Sequence, residues 1–270
     1  MADDPAMMSS TNPAHVYELV ALIVIFFLTS VIGVVTGSNS LITVPAMLAF
    51  GIEPRVALAT NMFGLMFMSL GGTLPFLGSG AFDRRRLSLL VSLTLVGSVL
   101  GALLVFVVPS RAMPLLISIF MLAVAAFSFA KRDAGVIPEA TPPSRAAELL
   151  GYAATFLLGI YGGFFSGGYV TILTAVFVVG LGMTYVHAVA NTKLINVFSS
   201  LVATLIFMWR GVVDYRLGLI LAFVMFVGAI IGARVALKLD NLWLRRIFLA
   251  TVVALALKTL IYDFVWQRLI

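Results

Sequence analysis

Cysteine is absent from this chain of 270 residues, and histidine occurs only twice, as His15 and His187. Disulfides and thiolate metal sites are excluded, and no metal-binding His/Glu spacing of the H-E-x-x-H type can form. Charge is scarce as well: Asp, Glu, Lys and Arg make up 10% of the residues, against about 25% in soluble domains. No pair of acidic residues falls inside an apolar run, and no G-x-S-x-G elbow occurs. The sequence therefore offers no support for an enzyme, and it asks for no cofactor or metal.

What fills the space is hydrophobic. Apolar residues reach 62% and the mean hydropathy is +1.14, which marks an integral membrane protein. The net charge of +6 is spread over the connections between apolar runs. That distribution suits membrane topology and lipid contact, not a nucleic-acid partner. Residues Met1–His15 hold Asp3 and Asp4 but no Lys or Arg, so the basic start of a cleavable signal peptide is missing and the first apolar segment is expected to be retained.

Apolar segments run over Tyr17–Val35, Leu41–Phe50, Val56–Leu77, Leu87–Val108 and Met113–Ala130, and again over Ala147–Phe165, Val170–Leu181, Tyr185–Met208, Leu217–Leu237 and Leu242–Trp266. The second in each set is too short for a straight crossing of a bilayer core about 30 Å thick. Each short piece follows a helix-poor run, Gly37-Ser38-Asn39-Ser40 or Ser166-Gly167-Gly168, and Pro45 is expected to add a further break in the first. The polar stretch Lys131–Ala146, with Pro138, Pro142 and Pro143, reads as a linker.

The two sets repeat one another. Gly51 and Gly182, Ala57 and Ala188, Ala59 and Ala190, Gly80 and Gly211, Asp83 and Asp214, Gly97 and Gly228, and Gly101 and Gly232 each stand 131 positions apart. The expected architecture is an all-α polytopic membrane protein of two internal repeats with eight to ten membrane segments and a short broken helix in each half. The domain plan is a tail at 1–15, a first repeat at 16–130, the linker at 131–146 and a second repeat at 147–270. Five crossings per half would invert the second repeat. An outside N-terminus then places Arg84, Arg85, Arg86, Lys131, Arg132, Arg145, Lys238, Arg245 and Arg246 inside, against Arg55, Arg111, Arg210, Arg216 and Arg268 outside. If the short pieces do not cross, the halves are parallel. Matched, interrupted segments in two such halves point to a transport site.

Lys193 is the sharpest single residue. It lies roughly 12 Å along its helix from Tyr185, near the bilayer centre, where a cation costs at least about 2.5–3.5 kcal/mol. A passing anion would compensate that cost; snorkelling to an interface is the alternative. Its repeat partner is Met62, so one cation is present and not two. Asn191, Thr192 and Asn196 flank it, and Thr60 and Asn61 hold matching positions in the first half. These amides and hydroxyls either donate to an oxyanion or join helices. The breaks contribute Ser38, Asn39, Ser40, Gly167, Gly168 and Tyr169, with half-helix N-termini facing the centre. His187 is a candidate for proton coupling. Asp83 and Asp214 read as helix N-caps, and the two G-x-x-x-G motifs as close-packing faces.

The stretch Ala188-Val-Ala-Asn-Thr-Lys-Leu-Ile-Asn196, the Gly211-Val-Val-Asp214 turn, its weaker Gly80-Ala-Phe-Asp83 copy and the Gly-rich first segments resemble the TauE/SafE family of sulfite exporters, which are grouped with the toluenesulfonate uptake permeases. The resemblance covers the chain after about Tyr17. Members usually show a run of glycines before a proline; here Thr36-Gly-Ser-Asn-Ser-Leu-Ile-Thr-Val-Pro45 substitutes hydroxyl and amide groups. The resemblance implies a multi-pass bacterial inner-membrane transporter, an exporter by type, of sulfite or an organosulfonate, alternating access about a midplane site. The competing readings are a membrane assembly protein whose polar residues only join helices, and a carrier of a carboxylate anion.

Overall fold

The computed structural model describes residues 13–37, 39–113, 115–116, 143–239, 243 and 246, and among them it contains helices and turns but no strand. In chain order the helices are α1 (Pro13–Thr36), α2 (Ser40–Ala49), α3 (Pro54–Thr73), α4 (Arg84–Val107), α5 (Arg145–Phe164), α6 (Tyr169–Leu181), α7 (Tyr185–Trp209) and α8 (Tyr215–Lys238). Six are long and apolar enough to cross a membrane; α2 and α6 are the short exceptions, at about 15 and 20 Å. These are the spans and short pieces expected from the sequence. The expected spans Met113–Ala130 and Leu242–Trp266, and most of the linker, lie outside the described residues.

Local chemistry sets the boundaries. The Asp83 carboxylate accepts from the N–H groups of Arg85 and Arg86 to start α4, and Asp214 accepts from Leu217 N at 3.0 Å to start α8. Ser144 and Thr184 cap α5 and α7 in the same way, each satisfying a donor that has no partner within its helix. Glu53 caps α3, with Pro54 at its first position. One expectation is corrected: Pro45 does not break α2, which runs through it. Proline removes one helical hydrogen bond, and the buried packing of Leu41, Val44 and Met47 holds the short helix together regardless.

Apolar side chains cover the outside of the bundle as well as its core. Val20, Val24, Leu28 and Ile32 form an exposed apolar stripe along α1, and Leu219 and Phe223 are exposed on α8. Thr43, Thr60, Asn61, Thr94, Ser98, Asn191 and Lys193 are buried. An apolar exterior around an apolar core that also holds polar groups is the pattern of a multi-pass membrane protein, whose buried polar groups must find partners within the bundle.

Two glycine seams organise the packing. A Cβ on Gly97 would come within 2.7 Å of the Phe156 carbonyl oxygen, and one on Gly101 would collide with that of Ile160, so α4 lies backbone to backbone on α5. A Cβ on Gly228 would sit 3.0 Å from the Phe27 carbonyl oxygen, and one on Gly232 would collide with that of Val31, so α8 lies equally close on α1. The two G-x-x-x-G motifs thus do what small-residue motifs do in membranes, and each joins the first helix of one half to a late helix of the other. Between these pairs lie α3 and α7, packed on each other, α3 against α8 and α7 against α4. Asn196 on α7 bonds Ser69 on α3, and the Lys193 stem lies against Gly72; higher numbers on one helix meet lower numbers on the other, so α3 and α7 run antiparallel.

Candidate functional site

The two breaks meet. Helix α1 ends at Thr36, and Gly37, at φ 70°, turns the chain. A Cβ there would come within 2.7 Å of Thr171 N and of the Val170 side chain, so both the left-handed backbone and the close approach require glycine. The Thr171 hydroxyl donates to the Thr36 carbonyl at 2.5 Å, tying the start of α6 to the end of α1. The second break, Phe165–Gly168, turns through Ser166 at φ 64° and Gly168 at φ 75°. The Tyr161 hydroxyl braces it by donating to the Gly167 carbonyl.

Beside this junction is a small cavity of about 10 Å³, room for about one water. Its polar wall is Asn39, Ser40, Ser166, Lys193 and Asn196, and its apolar wall is Leu65, Met68 and Val170. Lys193 is 2% exposed, and its ammonium donates to the Gly33 carbonyl at 2.8 Å. That carbonyl also accepts from Gly37 N at the frayed end of α1, so the cation rests on the negative end of a helix dipole. Among the described residues no carboxylate pairs with Lys193; the ion pairs formed there are those of Arg86. The lysine does not snorkel: it is held inside the bundle.

The amides around it are incompletely used. Both polar atoms of the Asn39 side chain are buried without a hydrogen-bond partner, and so is Asn196 Oδ1, although Asn196 Nδ2 donates to Ser69 Oγ at 2.6 Å. Leaving a buried polar group unsatisfied costs about 1–3 kcal/mol. Three such atoms belong to residues lining one cavity, beside a cation that no carboxylate among the described residues pairs.

Other residues expected at the site are hydrogen-bonded elsewhere in the bundle. Thr60 Oγ1 accepts from Asp214 N and Asn191 Oδ1 accepts from Asp83 N, each at 3.1 Å. Thr60 and Asn191 stand at equivalent repeat positions, as do Asp83 and Asp214, so each half fastens the other's Gly-x-x-Asp turn. Asn191 Nδ2 further donates to the Ala81 and His187 carbonyls. Asn61 spends both ends within its own half, donating to Ser40 Oγ at 2.9 Å and accepting from Thr43 Oγ1 at 2.7 Å. Thr192 bonds the Val189 carbonyl and lies 3.4 Å from Thr174 Oγ1. None of these four lines the cavity. Gly167, Gly168 and the buried Tyr169 build the second break without lining it, His187 is exposed at the start of α7, and Ser38 lies outside the described residues.

Sequence reasoning missed Gly33, Leu65, Met68 and Val170, all on the cavity wall, and Ser69, the partner of Asn196. The repeat carried a faint signal for Ser69, since Ser200 stands 131 positions on. Nothing in an apolar helix distinguishes Leu65 or Met68 from their neighbours. At one face of the bundle Arg86 closes a latch: it pairs with Asp83 at 3.1 Å and with Glu148 on α5, and donates to the Leu181 carbonyl at the end of α6.

Residues 22–259 match the family model described as sulfite exporter TauE/SafE. The chain is 29% identical to a probable membrane transporter protein, ORF9, of Sinorhizobium over 90% of its length and 92% of the relative's. It is 29% identical to a probable membrane transporter protein of Haemophilus influenzae, covering 82% and 84% of the two chains, and 26% identical to the Escherichia coli K12 probable membrane transporter protein YfcA, covering 95% of each. No solved structure matches.

Proposed function

Because the chain belongs to the TauE/SafE sulfite exporter family of membrane transporters, we propose that it is a secondary transporter of a small sulfur-containing anion, sulfite or an organosulfonate, bound at the Lys193 cavity. The observation that carries this reading is the meeting of one buried cation without a paired carboxylate among the described residues and three unpartnered amide atoms on residues lining one small space. Sulfonate and sulfite oxygens are strong acceptors for an ammonium and for amide N–H donors.

The cavity has room for about one water, less than a sulfur oxoanion occupies. Loading requires the walls to part. The bonds that cross the space, Lys193 to Gly33, Thr171 to Thr36 and Asn196 to Ser69, are the ones that must yield or be replaced by bonds to the anion. The antiparallel course of α3 and α7, and the reciprocal fastening of the two Asp turns, support a pair of inverted repeats that expose the cavity to one face and then the other. In a bacterial inner membrane the inside-negative potential alone favours outward movement of an anion, by about 2.3 kcal/mol per charge per 100 mV, so export needs no further coupling.

The test is a binding screen on purified protein, with sulfite, thiosulfate, sulfoacetate, sulfate and acetate compared by thermal shift, followed by flux in liposomes. Stabilisation by sulfur anions, lost in Lys193→Ala, is the expected result. Stabilisation by acetate alone would move the substrate to carboxylates. No stabilisation and no flux with any of them would leave only a helix-joining role for the buried polar residues.

A further inference from the structure

We infer that the cavity selects singly charged anions over doubly charged ones of the same shape; the inference rests on the anion-site reading above and narrows it. The helix ends converging on the cavity nearly cancel. Helices α2 and α6 begin there, at Ser40 and Tyr169, and α1 and α5 end there, at Thr36 and Phe164. Each terminus carries about half an elementary charge, positive at a start and negative at an end, so the two starts offset the two ends. What remains is about one positive charge, that of Lys193.

Among the described residues no other charged side chain lines the space: the remaining polar wall is Asn39, Ser40, Ser166 and Asn196, all neutral. The position equivalent to Lys193 in the first repeat is Met62, so the duplication supplies no second cation. The Gly33 carbonyl is a fixed acceptor at the rim, and it turns a negative face to anything that displaces the ammonium from it. A monoanion entering this enclosure finds its charge matched. A dianion brings one negative charge that nothing in the described wall offsets, and an unpaired charge out of water is the costliest passenger a protein site can hold.

Three tetrahedral sulfur compounds of similar size separate charge from shape: dimethyl sulfone is neutral, methanesulfonate carries one negative charge and sulfate two. Calorimetric titration of each into the purified full-length protein is the test. Methanesulfonate is expected to bind at least about tenfold more tightly than either sulfate or the sulfone. Sulfate binding as tightly as methanesulfonate, or more so, overturns the charge inference while leaving an anion site in place. Sulfone binding as tightly as methanesulfonate overturns it as well, because the site would then be blind to charge. If neither anion binds, nor sulfite, the anion-site reading itself falls and takes the inference with it.

Discussion

Replacing Lys193 with methionine is the most informative single change, because Met62 already occupies the equivalent place in the other repeat. The stem of Lys193 packs against Gly72, and methionine preserves most of that contact. The variant loses one charge-assisted bond to the Gly33 carbonyl, worth about 1.5–3 kcal/mol. It also escapes the cost of holding a cation at depth, about 2.5–3.5 kcal/mol on insertion scales. The two nearly offset, so the unliganded protein should melt close to the wild type. Binding should behave differently. A unit charge facing an anion at about 4 Å in a medium of effective dielectric about 20 contributes about 4 kcal/mol, close to three decades of affinity. Melting curves with and without sulfite, together with calorimetric titration, separate the two effects. Wild-type sulfite affinity in a folded Lys193→Met protein would refute the central role of the ammonium; a protein that no longer folds would assign the lysine to structure.

Asn39→Ala removes two unpartnered buried atoms, so the unliganded protein should lose no stability, while anion affinity falls roughly tenfold for one lost hydrogen bond to a charged ligand; calorimetry and thermal melts read both. Asn191→Leu and Thr60→Val should do the opposite, lowering stability by about 1–3 kcal/mol through the unbonded Asp83 and Asp214 N–H groups and leaving the dissociation constant unchanged. Gly101→Val should cost about 3 kcal/mol or more by forcing α4 off α5, seen as loss of the monodisperse peak on size exclusion. With no native cysteine to interfere, Ser166→Cys reports access to the cavity. Adding Arg86→Gln should speed its labelling from the face that carries Arg84–Arg86, because the bonds to Asp83, Glu148 and Leu181 are weakened.

The skeleton was legible because the bilayer imposes a coarse rule. Apolar length alone separates α1, α3 and α4 from the stunted α2, and Gly37 and Gly168 announce turns that only a residue tolerant of positive φ completes readily. Lys193 stood out by the same rule, a charge where charge is expensive. What did not show was the division of labour among the amides near it. Asn191 and Asn196 are five residues apart on one helix, yet one fastens the Asp83 turn and the other faces the cavity. That difference depends on which neighbour each side chain meets across the bundle, and no local pattern encodes it. Pro45 misled for a related reason: a proline inside an isolated helix is disruptive, while this one is held by contacts from elsewhere in the chain.

The seams of glycine also set an order of manufacture. The ridge of α5 reaches the ribosomal exit about 60 residues after Gly97 and Gly101 have been made, so the α4–α5 pair can zip early. Phe27 and Val31, by contrast, must wait for Gly228 and Gly232, about 200 residues later, which at 5–20 residues per second is about 10–40 s. For that interval α1 stands in the lipid without α8, while the cavity beside Gly33 waits 160 residues for Lys193. The cavity therefore forms late in synthesis, because its walls are drawn from both halves, from α1, α2 and α3 on one side and from the second break, α6 and α7 on the other.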